Sequence, residues 1–167
     1  MSSFDRRRVI LVPLAACLAG SACGFEPVYA PGGSGSELFG RVELSAPNTV
    51  DSFLLVENLE QKLGRSATSG KDYKLNVQVA TNIQAAAITT TNETNRYTIN
   101  GRAEFSLRSN ETGQIMASGT VTDFVGYSAA GSTVSTLADE RDAKRRLMST
   151  LSDQIVNRLY ATPDLTA

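Results

Sequence analysis

Alternation of apolar and polar residues along the middle of the chain limits its fold more than any other feature. Apolar or small side chains occupy every second position from Tyr73 to Ala85, from Tyr97 to Leu107 and from Ile115 to Val121. Successive side chains of a β-strand point to opposite faces, so this spacing predicts three consecutive strands that share one buried face. The alternation breaks at Asp123 and Phe124, where we expect a β-bulge or a bend.

The other face of these strands is polar but mostly uncharged. Its predicted members are Asn76, Gln78, Asn82, Gln84, Thr98, Asn100, Arg102, Ser106, Ser118, Thr120 and Thr122. Such a face is either the solvated side of an antiparallel sheet or a surface that docks against another polar wall, such as the lumen of a membrane barrel. Uncharged amides and hydroxyls lose less free energy on desolvation than charges do, provided that they are paired again. The residues alone leave both interpretations open.

A short strand and an amphipathic helix are predicted before this meander. The strand covers residues 40–45, and the helix that follows is capped by Asn48 or Thr49 and ended by Gly64. The apolar face of the helix is predicted to carry Phe53, Val56, Leu59 and Leu63, with Leu55 beside them. Polar stretches at 89–93 and 109–113 predict the turns between the three later strands.

The C-terminal part of the chain predicts a second, longer helix that begins between Thr133 and Thr136. Its apolar stripe is predicted from Ala138, Ala143, Leu147, Met148, Leu151, Ile155, Val156 and Leu159. A basic cluster, Arg141, Lys144, Arg145 and Arg146, alternates with acidic residues, which favours pairs within the helix over an anion site. The predicted fold is therefore α+β: a four-stranded mixed β-sheet with two helices packed on one face, in the order β-α-β-β-β-α.

A basic and then apolar leader precedes this domain. Three arginines at 6–8 are followed by an apolar stretch at 9–22. As a helix that stretch would span about 21 Å, which is short of the ~30 Å hydrocarbon core of a bilayer. These features predict a signal peptide over residues 1–22, rather than a membrane span or a buried N-terminal helix.

Two cysteines follow small residues, as in the signal peptides of bacterial lipoproteins, where the cysteine becomes acylated. The residues before Cys17 match the small-residue pattern of lipoprotein signal peptides better. Cleavage before Cys23, however, leaves a longer apolar stretch in the signal peptide, so Cys23 is the favoured lipidation site. Gly24 follows Cys23, so the aspartate that retains many lipoproteins in the inner membrane is absent and the outer membrane is the expected location. Two or three acyl chains give stable anchoring. A lipidated linker over residues 23–37, a domain over 38–162 and a tail over 163–167 are predicted.

Composition excludes several kinds of chemistry. The chain has no histidine, and its two cysteines lie in or at the edge of the leader, so the domain lacks the usual nucleophile pairs, disulfides and His or Cys metal ligands. Three of the 16 basic residues but one of the 17 acidic residues lie in the leader, so the rest of the chain is mildly acidic. A nucleic acid partner is not expected of such a domain. No cofactor is expected other than the covalent N-acyl and S-diacylglycerol lipid on Cys23.

Three stretches resemble the LptE family of lipopolysaccharide-assembly lipoproteins in its alphaproteobacterial form. The most specific is Cys-Gly-Phe-x-Pro-Val-Tyr at 23–29. The others are Phe-Leu-Leu-Val-x-x-Leu-Glu-x-x-Leu-Gly at 53–64 and the paired motifs at 142–147 and 155–159 in the C-terminal helix. The resemblance extends over essentially the whole chain after the leader.

This resemblance implies a partner and a ligand. Members of the family lie as a plug inside the β-barrel protein LptD, help that barrel to assemble and assist the insertion of lipopolysaccharide into the outer leaflet; they are not enzymes. Basic residues of the family contact lipopolysaccharide phosphates. Here the first candidate is Arg96, at the foot of the long hairpin, followed by Arg102, Arg108 and Lys74 on the polar face.

Two other functions remain as alternatives to this interpretation. The first is an accessory lipoprotein of a lipid-transporting ABC system in the cell envelope. The second is an enzyme that uses a pair of carboxylates in sugar chemistry. Asp123 with Glu104, or Asp139 with Glu140, would be the candidate pairs.

Overall fold

The computed structural model describes residues 34–65, 72–88, 94–129 and 132–162. Its elements are α1 (Ser34–Leu38), β1 (Val42–Leu44), α2 (Val50–Leu63), β2 (Tyr73–Ile88), β3 (Thr94–Ser109), β4 (Ile115–Ser128) and α3 (Thr133–Tyr160). The predicted leader, Cys23, the hairpin tip at 89–93 and the tail at 163–167 lie outside the described residues. The α+β prediction is confirmed, with one additional short helix, α1, where the sequence predicts only a spacer.

The four strands form one mixed sheet in the order β1-β2-β3-β4. β1 pairs with β2 in parallel, whereas β2 with β3 and β3 with β4 are antiparallel. The pairing of β2 with β3 extends from Tyr73 opposite Ser109 to Ile88 opposite Thr94. A strand rises about 3.3 Å per residue, so this hairpin is roughly 50 Å long.

The hydrophobic core lies between one face of the sheet and the helices. It is formed by the apolar face of α2, the predicted stripe of α3 from Ala143 to Leu159, and the alternate residues Leu75, Ile99, Ala103, Phe105, Leu107, Val121 and Tyr127 of the strands. Leu38 of α1 is fully buried in the same cluster. The stripe of α3 begins at Ala143 rather than Ala138, because Ala138 is exposed.

Helix α2 starts with a capping box, which also determines which residues of the helix face the core. The Thr49 side chain accepts a hydrogen bond from the Ser52 backbone N–H, and the Ser52 hydroxyl accepts one from the Thr49 N–H. Ser52 is thereby buried at the start of the face that continues through Leu55, Val56, Leu59 and Leu63. The prediction for Phe53 is wrong: its side chain follows Ser52 around the helix and is 57% exposed.

The bulge predicted at Asp123 and Phe124 is also wrong. Both residues keep the regular register, opposite Gly101 and Asn100, and the irregularity in this pair of strands lies between Leu107 and Arg108 instead. Asp123 remains on the helix side of the sheet, where its carboxylate accepts a hydrogen bond from the Gln154 side chain. At this point a polar residue, Asp123, lies on the helix side of the sheet and an apolar residue, Phe124, lies on the other side, but the register of the strands does not change.

The basic cluster of α3 forms the predicted intrahelical pairs. Asp142 pairs with both Arg145 and Arg146, and Glu140 pairs with Lys144 at 3.0 Å. The last pair is mostly shielded from solvent. The hydrogen bond with Glu140 is the largest cause of the raised pKa of Lys144, and burial raises the pKa of the neighbouring Tyr127 hydroxyl.

The raised pKa values of Lys144 and Tyr127 predict how the stability of the domain changes with pH in alkaline solution. Both hold their protons more tightly in the folded chain than in the unfolded one, so their contribution is complete below about pH 10 and is lost as the pH rises further. We expect the free energy of unfolding, measured with urea at pH 8.0 and 10.8, to fall between these values. Lys144→Met should cost about 1 kcal/mol at pH 8.0 and reduce that fall. An unchanged fall in the variant would contradict this assignment.

Candidate functional site

The sheet has one face that no described helix covers, and we call it the open face. It carries the even-numbered residues of β2 up to Gln84, of β3, and of β4 from Ser118 onward, whereas α3 lies over the odd-numbered ones: a Cβ placed on Gly101 would lie 3.0 Å from Leu147 and Leu151. The predicted set of polar residues is confirmed as one surface, since Asn76, Gln78, Asn82, Gln84, Thr98, Asn100, Arg102, Ser106, Ser118, Thr120 and Thr122 all share this parity and are exposed or half-buried.

Lys74 and Arg108 form a pair of like charges on the open face. They lie directly opposite each other on β2 and β3, where Cβ atoms are about 5 Å apart. Arg108 donates a hydrogen bond from Nη1 to the backbone oxygen of Gly113 at 3.0 Å. Within the described ranges, neither cation has a carboxylate oxygen within 4.0 Å. Opposed like charges are unfavourable, so an anion between them would relieve their repulsion.

Arg102 differs from this pair because its charge is already compensated. Its Nη2 lies 2.9 Å from Oε1 of Glu104, and it also reaches the Thr120 hydroxyl at 3.5 Å. Arg102 borders a shallow hollow of about 580 Å³ at the middle of the open face. The hollow is also lined by Ala80, Asn82, Asn100, Thr122 and Phe124.

Phe124 is the one large apolar residue among those that line this hollow. Its side chain is 68% exposed, in a position where every neighbour along the strand on that face is small or polar. The signal was present in the sequence as an aromatic residue at an even-numbered position. Because Phe124 ends the alternation of the strand, the pattern predicts a bulge or bend there rather than an exposed aromatic side chain.

Arg96 lies at the far end of the same face, opposite Ser128, and is exposed. At about 3.3 Å per residue, it is roughly 40 Å along β3 from Arg108, and Arg102 is roughly 20 Å from both. The structure therefore does not bring the four predicted basic residues into one site. Lys74 and Arg108 are adjacent, and the other two stand apart.

The carboxylate pairs considered for an enzyme are not assembled by the fold. Asp123 is on the helix side of the sheet and Glu104 is on the open face, so the two carboxylates are separated by the sheet. Glu140 is engaged by Lys144, and Asp139 is exposed on α3. Across the described residues there is no group of three or more His, Cys, Asp or Glu side chains placed to hold a metal ion. No helix in the described ranges has the length and apolarity needed to cross a bilayer.

Solved structures of several bacterial lipoproteins share this fold. A putative lipoprotein from Caulobacter crescentus CB15 superposes with a TM-score of 0.64 at 23% identity, covering 77% of this chain and 93% of its own. Rare lipoprotein B from Shewanella oneidensis gives 0.55 at 12% identity, with 72% and 92% covered. A minor lipoprotein from Acinetobacter baumannii gives 0.53 at 22% identity, with 72% and 88% covered. At these identities the likeness establishes the fold.

Family membership is established by the sequence itself. A comparison with curated proteins finds no significant match. A family profile, however, matches residues 39–159, which include every element from β1 to α3 apart from the last residue of α3. The chain belongs to the LptE family, described as lipopolysaccharide-assembly.

Proposed function

We propose that this chain is an outer-membrane lipoprotein, anchored through acyl chains on Cys23, that plugs the LptD β-barrel. In this role it helps the barrel to assemble and assists the insertion of lipopolysaccharide into the outer leaflet. The observation that carries the proposal is the LptE family match over residues 39–159. The role is one of binding and support, and it requires no cofactor other than the lipid.

The open face supports a position inside a barrel. The lumen of an outer-membrane barrel is lined by polar side chains. A protein surface placed against such a wall loses water from its own polar groups, and that loss is small for amides and hydroxyls that find new partners. Apart from Arg96, the distal half of the open face, from Asn82 and Asn100 outward, carries no charged group among the described residues, which suits it to contact the wall.

The opposite end of the face supports contact with a phosphorylated glycolipid. Lys74 and Arg108 hold two positive charges side by side, and among the described residues neither forms an ion pair, although Glu43 of β1 lies in register beside Lys74. A lipopolysaccharide phosphate bound between them would accept charge-assisted hydrogen bonds from both. Arg102 is a weaker candidate, because binding a phosphate there would compete with Glu104. Arg96 remains a candidate for a separate contact at the far end.

Removing this pair of charges should weaken lipopolysaccharide binding. We expect Lys74→Gln with Arg108→Gln to lower the affinity of the purified full chain in detergent by about tenfold or more, because two charge-assisted hydrogen bonds are lost. Fluorescently labelled lipopolysaccharide titrated by anisotropy measures this change. Chemically dephosphorylated lipopolysaccharide should bind both proteins equally.

Arg145→Gln with Arg146→Gln is the matched control for this experiment. It removes the same number of charges from exposed positions of α3, away from the open face. Equal losses in the two double variants would show that only net charge matters. Unchanged binding in the Lys74 and Arg108 variant would contradict the proposed phosphate site.

A further inference from the structure

Among the described residues, the outer edge of β2 is mostly unpaired. β1 has three residues and pairs only with Tyr73, Lys74 and Leu75, at the beginning of a strand of 16 residues. No described strand lies beside the remainder of that edge. An unpaired edge presents backbone N–H and C=O groups that can add another strand.

The direction of these backbone groups follows from the contacts at the start of the edge. The Tyr73 N–H donates to the Arg41 oxygen, and the Leu75 oxygen accepts from the Ser45 N–H. The Val77 N–H donates to the Ser45 hydroxyl oxygen at 3.3 Å, which closes the paired part of the edge. Outward and inward groups alternate along a strand, so the next outward positions are Val79, Thr81, Ile83 and Ala85.

Both ends of this open run are defined. Ser45 covers the Val77 N–H at one end, and the register shift between Ala85 and Ala87 ends the regular edge at the other. A hollow of about 420 Å³ between the β1–α2 connection and residues 76–79 leaves space for a chain to enter beside Val79. The edge from Val79 to Ala85 therefore has the length of an ordinary strand.

The strand residues of this edge carry few of the features that normally prevent strand addition. Residues 79–86 contain no charged residue, no proline and no glycine, and the Ile83 side chain is 40% exposed. The other edge of the sheet is protected differently. On β4 the outward N–H of Phe124 donates to the Oδ1 of Asp123 at 2.8 Å, which places a carboxylate at that edge. Natural sheets usually block exposed edges with charges, prolines or bulges, so an edge with few of these features is open to strand addition.

We propose that Val79–Ala85 binds an extended segment of another protein, one without acidic residues, as a fifth strand of the sheet. A row of outward N–H and C=O groups at every second residue is matched only by another extended backbone. The Asp51 carboxylate accepts a hydrogen bond from the Thr81 hydroxyl at 2.7 Å, so an acidic side chain on the incoming segment would be repelled at this edge. The inference goes beyond the proposed function, because it concerns a different surface and does not depend on which protein supplies the segment.

A second copy of this chain is a poorer occupant. Pairing two copies through seven residues each would bury only a few hundred square ångströms, whereas stable dimers usually bury at least about 1,200 Å². A segment of a partner that is already held near the sheet does not need a large area, because its effective local concentration is high. The geometry thus favours a segment of a larger assembly over self-association.

Amide hydrogen exchange at single-residue resolution tests the proposal. The full chain produced alone in detergent is compared with the full chain extracted, tagged, from its native outer membrane. Alone, the amides of Thr81, Ile83 and Ala85 should exchange fast and those of Asn82 and Gln84, bonded to β3, slowly. In the native extract the first three should slow by at least about tenfold, since each gains a hydrogen bond. Fast exchange of these three amides in both samples would overturn the proposal. This holds also if the native extract contains no protein other than this chain.

A proline variant separates strand addition from other causes of protection. Ile83→Pro removes an outward N–H, which an edge strand tolerates, and it should restore fast exchange at Thr81 and Ala85 in the native extract. Thr122→Pro at an outward position of β4 is the control and should leave the protection intact. Circular dichroism of both variants alone should match the wild type. Protection of the isolated chain that increases with its concentration would identify a second copy as the occupant and contradict the proposal.

Discussion

Replacing Cys23 with Ala should release the chain from the membrane fraction almost completely. The proposed anchor consists of the acyl chains on this residue, and each buried methylene contributes about 0.8 kcal/mol to membrane binding. Loss of the two or three acyl chains removes this contribution. Fractionation of cells into membrane and soluble pools, with metabolic labelling by palmitate, measures the effect.

Cys17→Ala is the matched control for this substitution. Since Cys17 lies within the predicted signal peptide, its replacement should leave labelling and membrane association unchanged. If Cys17→Ala removes the label and Cys23→Ala does not, the lipid is on Cys17 and the predicted cleavage site is wrong. If both single variants keep the label, each cysteine accepts the lipid in the absence of the other, and the double variant should then lose it.

Leu151→Ala should destabilise the domain by about 2–5 kcal/mol, the cost of a large-to-small change in a rigid core. Leu151 is fully buried at the centre of α3, and Gly101 of β3 lies directly beneath it. With so little space between helix and sheet, the neighbouring residues have limited freedom to fill the cavity. Urea denaturation followed by circular dichroism measures the loss.

Leu137→Ala on the same helix is the comparison for Leu151→Ala. The Leu137 side chain is 48% exposed and is not part of the core cluster. Its replacement should change the free energy of unfolding by no more than about 0.5 kcal/mol. Similar losses for the two leucines would contradict the arrangement of α3 on the sheet.

Periodicity was sufficient to predict the layers of the fold. Alternation in β3 identifies which residues face the core, and the four-residue repeat from Ala143 to Leu159 identifies the buried stripe of α3. It was not sufficient for the exact rotation of α2, because the capping box that buries Ser52 and exposes Phe53 depends on side-chain hydrogen bonds. Helix α1 was missed for a similar reason: its composition is that of a linker, and the burial of Leu38 depends on contacts distant in sequence.

The candidate site was predictable as a face but not as a set of neighbours. Parity along each strand places Lys74, Arg96, Arg102 and Arg108 on the same side of the sheet. Which of them are adjacent depends on the register between β2 and β3, and register follows from the turn and from packing. The same holds for the ion pair of Arg102 with Glu104, which lowers the value of that arginine as a phosphate contact.

The open edge of β2 was not predictable from local sequence either. An unpaired edge results from the shortness of β1 and from the path of the chain after Ser45. The sequence from Ala80 to Ala86 predicts only a weak strand. Its lack of charged residues becomes informative once the structure places it at the edge of the sheet.

A detergent pull-down of the tagged full-length protein from outer membranes, with Cys23→Ala as the control, tests the central claim most directly. We predict that a heat-modifiable β-barrel of the LptD type is recovered with the wild type in nearly equal amount. Recovery should fall sharply for the variant. Recovery of inner-membrane transporter subunits instead, or of this protein alone, would contradict the proposed role in lipopolysaccharide assembly.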